Sequence, residues 1–157
     1  MSTVKERLDA LGLVLPKAAA PVANYVPFIR TGNLVIISGQ ICFGADGKLA
    51  VAHKGKLGAE ISPEAGIAAA RLCALNVLAQ VQAAVGDLDR GVVQCLRLGG
   101  FINAVPTFAG LAGIMNGASD LMVEVLGDRG RHARSTVGVA ELPLDAAVEV
   151  EAMFEVK

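Results

Sequence analysis

The closing stretch of the chain, from His132 to Val156, constrains the fold more than any other. Val148, Val150, Ala152, Phe154 and Val156 form one apolar row, and Glu149, Glu151, Met153 and Glu155 form the opposite one. Just before it, Ser135, Val137 and Val139 alternate with Arg134, Thr136 and Gly138. With Leu142-Pro143-Leu144-Asp145 as the connection, the two segments read as a β-hairpin. Such alternation belongs to a sheet with only one face packed on a core. On this reading Arg134 and the carboxylates share the face turned away from that core. Glu149 then lies opposite about residue 138, four positions from Arg134 and roughly 13 Å along the strand. A direct ion pair within one chain is therefore not expected; the two groups line an elongated pocket or meet across a subunit boundary.

The remaining elements fill in around this sheet. Ser62-Pro63-Glu64 combines a capping hydroxyl, a proline suited to the first helical position and a carboxylate at the positive end of the helix dipole. The helix it starts is expected to run to Val85 and stop at Gly86, with Ile67, Ala70, Ala74, Leu78, Val81 and Val85 as its buried stripe. Upstream, two apolar runs flank Gly32-Asn33, a connection suited to a tight hairpin. Val92 to Ile102 reads as a strand loosened by Gly99-Gly100. A second long helix is expected from Pro106-Thr107 to Gly127, its first half made irregular by Gly110, Gly113 and Gly117. The first residues form a short amphipathic helix stopped near Gly12. The order is thus helix, hairpin, helix, strand, helix, hairpin. It predicts an α+β architecture over residues 1–157, read as a single domain: one sheet with both long helices on one face.

Composition bears on what covers the other face. Hydrophobic residues make up 54% of the chain and charged residues 18%, too apolar for disorder and high for a soluble monomer. Burial against further copies of the chain is the expectation. A net charge of −1 with no run of basic residues disfavours nucleic acid as a partner. Cys42, Cys73 and Cys95 lack metal-ligand spacing and read as small core residues; their reduced state suits a cytoplasmic location. No segment reads as a membrane span, and the N-terminus lacks the apolar centre of a signal peptide.

Few residues can carry chemistry. Arg134 offers a permanent planar charge that grips a carboxylate through two parallel hydrogen bonds, although a surface salt bridge is the plainer use of such a residue. Glu149 reads as a solvated carboxylate or as a proton acceptor. Tyr25, the one tyrosine, is either a half-buried anchor or a phenol offered to a ligand. Ser38-Gly39-Gln40 ends a strand, where glycine permits a bend or a close backbone approach. Neither a Ser-His-Asp pattern nor a phosphate-binding loop is present.

At these residues the chain resembles the YjgF or Rid (reactive intermediate deaminase) family, also known as the endoribonuclease L-PSP family. The similarity rests on Tyr25 leading into LVIISGQI, on the Ser62-Pro63-Glu64 helix start, and above all on ARSTVGVAELPLDAAVEVE. The opening helix resembles a longer variety of the family. The resemblance implies a chorismate-mutase-like fold assembled as a homotrimer with clefts between subunits. It implies hydrolysis of 2-imino and enamine acids of the 2-aminoacrylate type to 2-oxo acids and ammonium, as in 2-iminobutanoate/2-iminopropanoate deaminases, without cofactor or metal. On it, Arg134 binds the substrate carboxylate, Glu149 handles water and protons, and Tyr25, Ser38, Gly39 and Thr136 line the cleft. Thr136 stands where many members carry a cysteine. His132 stands where proline or alanine is usual, Val150 replaces isoleucine or methionine, and the segment between Phe108 and Arg134 is longer than in short members. An asparagine expected early in that segment falls near Ala112. The alternative is a non-catalytic member that binds a small carboxylate metabolite in the same Arg-lined cleft. Ribonuclease action is disfavoured by the absence of a basic groove.

Overall fold

A computed structural model describes residues 1–21 and 23–157. It contains α1 (Val4–Ala10), β1 (Phe28–Thr31), β2 (Leu34–Ile41), α2 (Pro63–Val85), α3 (Leu88–Gly91), β3 (Val92–Asn103), α4 (Leu111–Leu126), β4 (Ala133–Val139) and β5 (Val148–Val156). The five strands form one mixed sheet in the order β1-β2-β5-β3-β4, and α2 and α4 pack side by side on one of its faces. The expected α+β layer, one sheet under two long helices, is what the chain forms.

Local chemistry sets most element boundaries where the sequence puts them. Ser62 caps α2 by accepting from the Ala65 N–H at 3.1 Å, Pro63 opens the helix, and Gly86 closes it at φ 80°. Gly32 and Asn33 join β1 to β2, with Gly32 at φ 58° as a tight reversal requires. The α1 turn is fixed by Thr3 and Glu6, which cap each other reciprocally, while Val4 and Leu8 are buried beneath it. Ala70, Ala74, Leu78 and Val81 of α2 are fully buried, but Ile67 is partly exposed. By length and composition α2 could cross a membrane, contrary to the expectation that no segment would; its apolar surface lies instead between the sheet and α4.

Two expectations about the elements require correction. The first concerns the last two strands, which do not form a hairpin: β3 lies between them, parallel to β4 and antiparallel to β5. Helix α4 is the crossover that a parallel pair needs. From Val139 the chain passes over the end of β3 before returning as β5, and Pro143–Asp145 is a 3-10 turn with Leu144 and Asp145 both at positive φ (57° and 58°). Asn103, fully buried at the end of β3, holds this passage by donating to Asp145 Oδ1 (3.0 Å) and the Ala146 carbonyl (3.2 Å). Alternation reports which face a residue occupies, but not which strand is its neighbour.

The second correction is the start of α4, which begins at Leu111 rather than Pro106; Gly110 precedes it without a side-chain cap. Gly113 and Gly117 do not disrupt it. A methyl group on Gly117 would overlap the Ile67 carbonyl oxygen of α2, so the missing side chain is what lets the two helices approach closely. Between α2 and β3 the chain also forms α3, a four-residue turn capped by Asp87.

Candidate functional site

The sheet face opposite the helices carries Glu149, Glu151 and Met153 from β5, flanked by Ile29, Ile36, Phe101 and Val137. At Ser38-Gly39 the ladder between β2 and β5 slips by one residue, a bulge between the pairs Ile37–Ala152 and Gln40–Val150. Here glycine has a specific use. A Cβ on Gly39 would occupy the space filled by the Glu149 carboxyl, so the acid lies directly on the Gly39 backbone. Burial raises the Glu149 pKa, and the neighbouring charge of Glu151 raises it further.

Glu149 forms one wall of a recess of about 410 Å³, together with Gly39, Gln40, Tyr25, Pro143 and Leu144. Tyr25 is half exposed and lines this space. Gln80, buried on α2, donates to the Ala19 carbonyl at 2.9 Å and ties the 19–21 segment down as a further wall. The Ser38 hydroxyl does not line the recess; it donates to the Val26 carbonyl at 2.7 Å and anchors the segment carrying Tyr25. Tyr25, Gly39 and Glu149 are thus brought together, with Ser38 in a supporting position.

Arg134 is not with them. Its β4 register partner is Leu98, whose own β5 partner is Ala152, and both are buried under the helices. Arg134 and Thr136 therefore sit on the helix side of the sheet, whereas Glu149 sits on the opposite side. The expectation that the guanidinium shares a face with the carboxylates is wrong, because the parity of β4 was read as if it paired with β5. Glu149 is level with Val137, so it stands three residues and two strand spacings from Arg134, roughly 14 Å. The absence of a direct pair within one chain, expected for another reason, holds.

At the sheet edge Arg134 reaches along α4. Its Nη1 donates to Asn116 Oδ1 (2.8 Å) and Ser119 Oγ (3.1 Å), and its Nη2 to the Ala112 carbonyl (3.4 Å). Among the described residues Nε has no hydrogen-bond partner and Nη2 has one, so Nε–H and the second Nη2 hydrogen remain for a ligand on the Nε–Nη2 edge of the fork. Behind Ser119 stands His132, its Nε2 at 2.9 Å from Ser119 Oγ and its Nδ1 at 2.6 Å from the Gly130 carbonyl. The Thr136 hydroxyl is buried and has no hydrogen-bond partner among the described residues. Asn116 and Ser119 were missed as site residues. Their signal was the polar spacing on an apolar helix, since positions 112, 116 and 119 share one face.

The fold agrees with the comparisons to known proteins. The family described as "YjgF/chorismate mutase-like, putative endoribonuclease" matches residues 5–156, and the chain belongs to it. It is similar to protein TCP17 of Trypanosoma cruzi, 46% identical over 97% of this chain and 93% of that one. It also matches the crystal structure of protein Atu1372 from Agrobacterium tumefaciens at 44% identity and a TM-score of 0.90, covering 98% of this chain and 92% of that one. The crystal structure of E. coli TdcF with bound serine aligns at 26% identity and a TM-score of 0.63, over 90% and 94% of the two chains.

Proposed function

We propose that the protein hydrolyses reactive 2-imino and enamine acids of the 2-aminoacrylate type to 2-oxo acids and ammonium, in a cleft between subunits of a homotrimer. The observation that carries this reading is Glu149, a carboxyl with a raised pKa lying on the Gly39 backbone inside a recess that Tyr25 also lines. A partly desolvated carboxylate is a stronger base than one in water, and imine hydrolysis needs chiefly a positioned base and an oriented substrate. The open edge of Arg134 supplies the second requirement, a two-bonded grip on the substrate carboxylate. The serine bound in TdcF carries the same α-carboxylate group.

The reaction balances on these groups. An enamine is first protonated at its terminal carbon, and the resulting iminium loses an N–H proton to solvent to give the imine. Glu149 takes a proton from water as the oxygen attacks the imine carbon, and the nitrogen takes up a proton. The proton held by Glu149 then passes to the carbinolamine nitrogen. The C–N bond breaks as the hydroxyl proton is lost to solvent, ammonia leaves and is protonated by water, and the 2-oxo acid remains. Tyr25 and the backbone at Gly39 and Thr136 orient the imine. Because Arg134 and Glu149 lie on opposite faces of one sheet, they serve one substrate only if the β4 edge of one subunit closes the recess of the next.

Adding the purified protein to a lyase that generates 2-aminoacrylate is expected to accelerate 2-oxo acid formation. Arg134→Ala is expected to abolish the acceleration with the assembly intact. An unchanged rate across a range of imino acids would refute the assignment.

A further inference from the structure

The hydrogen bonds around Arg134 form a chain with a defined direction. The Gly130 carbonyl can only accept, so His132 must donate to it through Nδ1–H at 2.6 Å. In the neutral ring Nε2 is then an acceptor, and the Ser119 hydroxyl donates to it at 2.9 Å. With its proton committed to the imidazole, Ser119 Oγ faces Arg134 as a pure acceptor and receives Nη1–H at 3.1 Å. Asn116 Oδ1 takes the other Nη1–H at 2.8 Å. Both hydrogens of Nη1 are thereby satisfied, and the guanidinium cannot turn that end outward.

We propose that Ser119 and His132 are positioning residues for carboxylate capture: they lock the inner end of Arg134 onto α4, so that only its Nε–Nη2 edge is presented to a ligand. This rests on the reading of Arg134 as the carboxylate-binding residue. With Nε2 as its acceptor, His132 keeps the serine proton away from the guanidinium. Without it, the hydroxyl is free to turn back onto a carbonyl of its own helix, as serines in helices do. Without Ser119, Nη1 loses an acceptor and seeks another, and the fork rotates.

The same distances resemble a nucleophile and its base, and Ser119, His132 and Arg134 line a shallow recess of about 290 Å³ with Asp120, Val123 and Arg131. Two features favour positioning. The lone pair of Ser119 that would attack is occupied by Arg134, and the hydroxyl lies within a helix rather than on an exposed turn.

The test measures binding of 2-oxobutanoate, a stable product-like carboxylate, by titration calorimetry, alongside KM and kcat in the lyase-coupled assay. Ser119→Ala and His132→Phe are each expected to weaken binding and raise KM about tenfold, the scale for a lost hydrogen bond to a charged group. The value of kcat should stay within about twofold, because Glu149 is untouched. Ser119→Thr, which retains the hydroxyl, and His132→Gln, whose amide oxygen can accept from it, are expected to restore binding. Wild-type binding with unaltered affinity in both Ser119→Ala and His132→Phe would overturn the positioning role alone. Failure of the wild type to bind 2-oxobutanoate would overturn the reading of Arg134 and this role with it. Covalent labelling of Ser119 by a fluorophosphonate would also overturn it, by showing the hydroxyl to be a nucleophile.

Discussion

Glu149 is the residue whose environment is most specific, and its ionisation has a definite sign. Burial and the Glu151 charge raise its pKa in the folded protein above the value in the unfolded chain. Ionisation therefore costs stability: nothing at pH below the ordinary carboxylate range, and in full once the pH exceeds the folded pKa. Glu149→Gln removes that cost, so its melting temperature should rise above that of the wild type by an amount that grows as the pH climbs from the ordinary carboxylate range to the raised folded pKa, and is constant beyond it. Activity should behave in the opposite way. As the proposed base the carboxylate must be ionised, so the rate is expected to fall as pH drops through its pKa. Glu151→Gln, by removing the neighbouring charge, should move that acid limb to lower pH, and an unmoved limb would remove Glu149 from the rate law. At this scale the site was only half legible. Gly39 and Glu149 occur in a recognisable order, but the contact of a carboxyl with a glycine backbone depends on a bulge that no alternation pattern reveals. Asn116 and Ser119 are polar residues on an apolar helix, and only the fold shows which charge they face.

At the scale of elements, caps and breakers were readable and neighbours were not. The limits of α2 follow from Ser62, Pro63 and Gly86, each of which acts within its own few residues. The pairing of β4 depends on a crossover through α4, a contact distant along the chain, so a plausible local turn at Leu142–Asp145 suggested the wrong partner. The glycines of α4 were likewise readable as a weakness of the isolated helix but not as a requirement of its packing. Gly117 abuts the Ile67 carbonyl, which is rigid helical backbone, and the residues around the contact are buried. Gly117→Ala gains intrinsic helix propensity yet forces α2 and α4 apart. We expect a net loss of about 1–3 kcal/mol in urea unfolding, the cost typical of overpacking. A stabilised variant would show that the helices are free to separate, and that the close approach carries no energetic weight.

For the whole molecule, the question is what covers the sheet face that the helices leave bare. Ile29, Ile36 and Val137 are 55%, 44% and 47% exposed in the protomer, and they stand on the same face as Phe101 and Met153. An apolar sheet face of this kind, in a chain with 54% hydrophobic residues, is unfavourable in water and favours association with further copies. The proposed trimer buries it and also brings an Arg134 within reach of a neighbour's Glu149. The two consequences are coupled, and one substitution tests both. Light scattering should give the wild type a mass three times 16.1 kDa. Val137→Lys sets a cation on the bare face, at a position that belongs neither to the lining of the Glu149 recess nor to the α4 contacts of Arg134. It should yield folded protomers of single mass with deaminase activity lost, because each would hold half of a cleft. Full activity in a monomeric variant would mean that one subunit suffices, and the opposite placement of Arg134 and Glu149 would then need a different chemistry to explain it.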